Sequence, residues 1–134
     1  MSDFRDSLVK DVMTPEVSSV SPNTPLMQAV QTMYDTPMTC LVVNMANASE
    51  GFGILTQKDT LDILLECGGD LSGQTVADAM THPTVILQPG WDLRTAASLM
   101  RMLGVRRAPV IGGERLVGLL TFTDIFRHAV ESVE

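Results

Sequence analysis

Two hydrophobic rhythms alternate along this chain. From Thr24 to Tyr34 the apolar residues Leu26, Ala29, Val30 and Met33 recur at the three-and-four spacing of one helical face. Pro25 suits the first turn of that helix, and Thr24 stands where a cap is wanted. Leu93, Ala96, Ala97, Met100 and Leu103 form the same stripe, with Asp92 as cap and Gly104 placed for a left-handed C-terminal cap. After each stripe comes a short β-branched run, Cys40 to Val43 and Ala108 to Ile111, predicted as a strand because it is too short for a helix. Phe52 to Leu55 and Leu116 to Leu120 are read as partner strands. The first pair is joined by the turn-rich stretch Asn44 to Gly51, the second by a hairpin over Gly112-Gly113-Glu114-Arg115. A further helix starts near Lys58 or Asp59 and carries Leu61, Ile63, Leu64 and Leu65; its counterpart carries Ile125, Phe126, Ala129 and Val130.

These parallels are an internal duplication. Asp11-Val12-Met13-Thr14-Pro15 returns as Asp78-Ala79-Met80-Thr81-His82-Pro83, and Pro22, Leu26, Ala29 and Met33 align with Pro89, Leu93, Ala96 and Met100. Gly53-Ile54-Leu55-Thr56-Gln57-Lys58-Asp59 then matches Gly118-Leu119-Leu120-Thr121-Phe122-Thr123-Asp124. One short match arises by chance; ordered matches along nearly the whole chain do not. The chain therefore divides into copies at 8–67 and 76–131 with a polar, glycine-rich linker at 68–75, each copy reading strand–helix–strand–strand–helix.

Composition narrows the possibilities. The 134 residues are 45% hydrophobic, enough for a packed core and too apolar for a disordered chain. Nine methionines against 4% aromatic residues imply an aliphatic, methionine-rich core, to which Met27, Met33, Met100 and Met102 are assigned. A net charge of −7 argues against general binding to nucleic acid or anionic membranes, both of which require clustered cations. No apolar run is long enough to span a bilayer, and Met1 to Asp6 lacks the features of a secretory signal. Cys40 and Cys67 show no metal-ligand spacing and read as reduced thiols of a cytoplasmic protein.

The candidate chemistry lies in Thr56-x-x-Asp59 and Thr121-x-x-Asp124, each at a turn from a buried strand into a helix. A hydroxyl and free amides at a helix start suit a phosphate, and a carboxylate three residues on suits ribose hydroxyls. The same pattern is also an ordinary helix cap. Composition and spacing leave both readings open.

The ordered motifs resemble the CBS (cystathionine β-synthase) domain. The resemblance rests on Val-Met-Thr-Pro, Ser-Pro-Asn-Thr-Pro-Leu, Leu-Val-Val and Gly-Ile-Leu-Thr-Gln-Lys-Asp, then Ala-Met-Thr-His-Pro, Arg-Arg-Ala-Pro-Val-Ile and Gly-Leu-Leu-Thr-Phe-Thr-Asp. Two such repeats make a Bateman module. The resemblance implies an α/β (α+β) fold with the repeats related by a pseudo-two-fold axis, commonly paired into homodimers. It also implies adenosine-nucleotide clefts between the repeats. Carried over, Asp59 and Asp124 hold ribose hydroxyls, and Thr56 and Thr121 contact phosphate. The first cleft, with Lys58 beside Asp59, is completed by Thr84, Val85, Arg106, Arg107 and Ala108. The second, with Thr123 beside Asp124, is completed by Val17, Ser18, Thr39 and Cys40. Guanidinium is well suited to phosphate, so Arg106 and Arg107 make the Asp59 cleft the stronger expectation.

The remaining residues offer less. His82 and His128 have no acid or thiol at metal spacing and are read as a turn residue and an exposed helix residue. Trp91 is assigned to packing at a helix entrance, and Asp59 with Asp62 lacks the nucleophile or base of a catalytic pair. Neither a catalytic triad nor a Walker-type loop is present, so no enzyme is expected and no cofactor is required. The favoured function is a regulatory module that binds AMP, ADP, ATP or an adenosyl compound. Whether magnesium accompanies the ligand stays open. The alternative is a structural or interaction pair whose clefts bind nothing. The chain leaves little length outside the repeats, so the expected output is delivered in trans to a separate protein.

Overall fold

The computed structural model describes residues 6–15, 17–36, 38–45 and 50–133. Residues 1–5, and 46–49 of the turn-rich connection, lie outside them. The chain forms two compact units that are not simply the two copies. The first is Ser18–Thr84; the second joins Val85 onward to the amino-terminal segment up to Val17.

In the first unit β1 (Ser19–Val20) runs parallel to β2 (Cys40–Asn44), and β2 pairs antiparallel with β3 (Phe52–Thr56). Helices α2 (Leu26–Asp35) and α3 (Gln57–Glu66) and the single turn α4 (Val76–Ala79) complete the unit. Its core is Leu26, Ala29, Met33, Leu41, Val43, Leu55, Leu71 and Val76. In the second unit β4 (Arg107–Gly112) and β5 (Arg115–Thr121) form the hairpin. Its helices are the single turn α1 (Val9–Val12), α5 (Leu93–Leu103) and α6 (Phe122–Val133). Val9, Leu87, Leu93, Ala96, Met100, Ala108, Val110, Leu120 and Ile125 fill its core.

The leading Met-Thr segments explain this division. The Leu26 amide donates to the Gln74 carbonyl, as Leu93 does to Ser7, and Val76 donates to Thr24, as Val9 does to Trp91. Thr81 exchanges two backbone hydrogen bonds with Ile54, and Thr14 exchanges two with Leu119. The leading segment of each copy thus edges the last strand of the other copy. Glycine permits the approach. A Cβ on Gly53 would lie 3.1 Å from the Thr81 carbonyl oxygen, and one on Gly118 would lie 2.9 Å from that of Thr14.

Several expectations need correction. Thr24 does not cap α2; Pro25 occupies the cap position and no side chain caps it. Asp92 does cap α5, accepting the Thr95 amide, and Gly104 closes it with φ of 71°. The first strand of the second copy shrinks to a bridge between Leu87 and Val110. Its cause is Pro109. In the first unit the Val42 amide donates to Ser18, but Pro109 occupies the equivalent place and has no N–H to donate. Met33 and Met100 are buried as expected, whereas Met27 and Met102 are 52% and 75% exposed. Each of these two lies one or two residues from a buried helical position and so on a different face. Leu103, at the last helical position before Gly104, is also exposed. Among the described residues no helix is long and apolar enough to cross a membrane.

Candidate functional site

Each Thr-x-x-Asp motif sits where a buried strand becomes a helix. Ile54 and Leu55 are in the core, so β3 is anchored when it delivers Thr56 to the start of α3. There the Thr56 hydroxyl accepts the Asp59 amide at 3.1 Å, and the Asp59 Oδ2 accepts the Thr56 amide at 2.9 Å. Leu119 and Leu120 anchor β5 likewise. The Thr121 hydroxyl accepts the Asp124 amide at 3.1 Å and the Asp124 Oδ2 accepts the Thr121 amide at 3.1 Å. Both motifs are therefore complete capping boxes. Capping and binding are compatible here: each threonine hydroxyl accepts through oxygen and retains its proton, and a carboxylate has a second oxygen.

The second oxygens differ. Asp59 is half-buried and its Oδ1 has no partner among the described residues. Asp124 is only 6% exposed, and its Oδ1 accepts the Thr14 hydroxyl at 3.1 Å and the Arg127 guanidinium at 3.4 Å. Nothing in the sequence marked Thr14 or Arg127 as partners of Asp124; Thr14 is 110 residues away. The one available signal was the duplication itself, which places a Met-Thr pair near the start of each copy.

The other expected residues are divided between the units. In the first, Lys58 is exposed and pairs with Asp62 at 3.3 Å, and Thr84 is half-buried, its amide donating to Phe52. Ser18 is half-buried, Thr39 is exposed, and Cys40 is buried as the cross-strand partner of Thr56. In the second, Val17 and Val85 are half-buried and Thr123 is exposed. Arg107, half-buried, is the cross-strand partner of Thr121, and the exposed Arg106 offers its carbonyl to the Phe122 amide. Among the described residues neither arginine makes an ion pair. The buried side chains of Cys40 and Ala108 leave backbone as what those positions can offer.

His128 departs from its expected place. It is half-buried on α6, with Nε2 2.7 Å from the Ser7 hydroxyl, because the amino-terminal segment lies against that helix. His82 is exposed and hydrogen-bonds the Glu50 carbonyl. Trp91 is half-buried against the core of the second unit. Among the described residues no group of three or more His, Cys, Asp or Glu side chains is arranged to hold a metal.

Two strand-to-helix turns of the same design, each edged by a Met-Thr segment, define a tandem-repeat domain architecture. The chain belongs to the CBS domain family, whose profile matches residues 9–66 and 76–131. It is 32% identical over 120 residues to the CBS domain-containing protein YhcV of Bacillus subtilis, covering 89% of this chain and 83% of that one. Among solved structures it is similar to the hexameric CBS-CP12 protein from bloom-forming cyanobacteria, with TM-score 0.84 and 26% identity over 96% of this chain and 75% of that one. It is also similar to CBSX2 in complex with AMP, with TM-score 0.76 and 26% identity over 95% and 98% of the two chains.

Proposed function

We propose that this chain is a regulatory module that binds an adenosine nucleotide and reports it to a separate protein in trans. The observation that carries the reading is the Thr56–Asp59 turn. Oδ2 of Asp59 is held by a backbone amide, while Oδ1, with no partner among the described residues, can accept from a ribose hydroxyl and the Thr56 hydroxyl retains a proton for phosphate. CBSX2, similar over nearly its whole length, was solved with AMP. Among the described residues Arg106 and Arg107 make no ion pair, so in an acidic chain both are cations open to an anionic ligand. The CBS pair is as a rule a regulatory rather than a catalytic module. The cytoplasm is the fitting compartment, since adenosine nucleotides are abundant there and Cys40 and Cys67 stay reduced.

Calorimetric titration of AMP and ATP into wild type and Asp59→Ala tests the reading. Wild type is expected to bind, and at a hundredfold excess over Kd the ligand adds about 2.7 kcal/mol of stability. Asp59→Ala is expected to lose at least tenfold in affinity. Equal binding by the two proteins overturns the assignment of Asp59. No binding by wild type favours the alternative that the turns are caps of an interaction module.

A homodimer is part of the same reading. Phe126 and Val130, one turn apart on α6, are each more than 60% exposed, an apolar face suited to a second copy. Phe126→Asp is expected to convert the dimer to monomer in sedimentation velocity; an unchanged sedimentation coefficient counts against this face.

A further inference from the structure

The duplication makes the two turns equivalent, but the carboxylates are used differently. Oδ2 performs the same task in both, accepting the amide of the threonine three residues earlier. Oδ1 of Asp124 is filled by Thr14 and Arg127, whereas Oδ1 of Asp59 has no partner among the described residues. Thr81 is the repeat equivalent of Thr14 and makes the same two backbone bonds to its strand, yet its hydroxyl makes no hydrogen bond to Asp59. The difference is therefore confined to side chains.

Thr14 ends a segment tied to the second unit along its length. Ser7 accepts the Leu93 amide, Val9 and Lys10 donate to Trp91 and Pro89, and the Ser7 hydroxyl meets His128. The Thr14–Asp124 bond fastens the far end of that segment to the first turn of α6. A hydrogen bond to a buried charge is among the stronger kinds.

We propose that the Thr121–Asp124 turn is the fastening point of the amino-terminal segment, and that Thr14, by occupying Oδ1, keeps this turn from taking a nucleotide. The proposal rests on the nucleotide reading above for its second half. A ribose offers two hydroxyl donors; Oδ1 already accepts from Thr14 and Arg127, and Oδ2, which accepts the Thr121 amide, has one lone pair left, so the turn cannot take both hydroxyls as it stands. Binding there requires Thr14 to let go, leaving its hydroxyl without its acceptor and loosening the segment. One chain then holds one nucleotide, at Asp59, and uses its second carboxylate to hold itself together.

The test combines AMP titration with amide hydrogen exchange over residues 8–14, using full-length wild type, T14V, T14S, D124N and D59A. Wild type is expected to bind one AMP per chain, T14V two, and T14S, which restores the hydroxyl, one. Without nucleotide, exchange over 8–14 is expected to rise about tenfold in T14V and D124N and to stay at the wild-type rate in T14S and D59A. Unchanged exchange in T14V and D124N overturns the fastening. Two AMP per wild-type chain, or one per T14V chain, overturns the exclusion. If wild type binds no AMP, the nucleotide reading fails with the exclusion built on it, and exchange alone decides the fastening.

Discussion

Gly118→Val is expected to cost about 3 kcal/mol and to loosen the amino-terminal segment from the second unit. A Cβ at this position would stand 2.6 Å from the Met13 sulfur and 2.9 Å from the Thr14 carbonyl oxygen. The sulfur is the end of a flexible side chain and can move. The carbonyl cannot, because it accepts the Leu119 amide while the Thr14 amide donates back to Leu119. Relief therefore means breaking two backbone bonds or bending β5. Gly118→Ala is expected to be milder, about 1–2 kcal/mol, since reduced freedom of the unfolded chain offsets part of the clash. Gly90→Ala is the control, having open space around its Cβ and no positive φ. It should be neutral or slightly stabilising. Thermal melting of the three variants against wild type checks the order; a Gly118→Val protein that melts with wild type would mean the segment does not rest on β5.

Leu120→Ala and Leu55→Ala are expected to cost about 2–5 kcal/mol each, the ordinary range for emptying a filled leucine site. Both side chains are fully buried, at equivalent places in the two units. They are distinguishable because Trp91, the single tryptophan, packs against the core of the second unit. Leu120→Ala should therefore move the tryptophan fluorescence transition in urea directly. Leu55→Ala should weaken the circular dichroism signal first, if the units unfold in sequence. Coincident transitions by both probes in both variants would show instead that the units unfold as one cooperative block.

Much of the local structure was legible because it depends on neighbours in sequence. The stripe from Leu93 to Met100, the Asp92 cap and the left-handed Gly104 follow from helix geometry. The hairpin turn at Gly113 and Glu114 follows from the residues that tolerate it. Pro109 carried a legible message that periodicity overlooked. A proline in a strand removes a donor from one edge, and the strand that needed that donor is reduced to Leu87. The short helices α1 and α4 were less accessible, since a single turn has too few residues to show a period.

The Thr-x-x-Asp turns show where sequence reading stops. The residue types implied either a cap or a ribose-binding carboxylate, and the folded chain forms the cap at both places. What distinguishes the two carboxylates is their second oxygen, and that depends on where a threonine far along the chain comes to rest.

The sequence by itself determined the duplication, the element types and the pair of strand-to-helix turns, because periodicity, proline and capping chemistry act over a few residues. Only the tertiary structure decided that the leading segment of each copy completes the unit built mainly from the other copy. It alone decided that Thr14 and Arg127 reach Oδ1 of Asp124, while that of Asp59 meets no partner among the described residues. Those contacts join residues distant in the chain, and a hydrogen bond between distant residues leaves no periodic trace in the sequence that makes it.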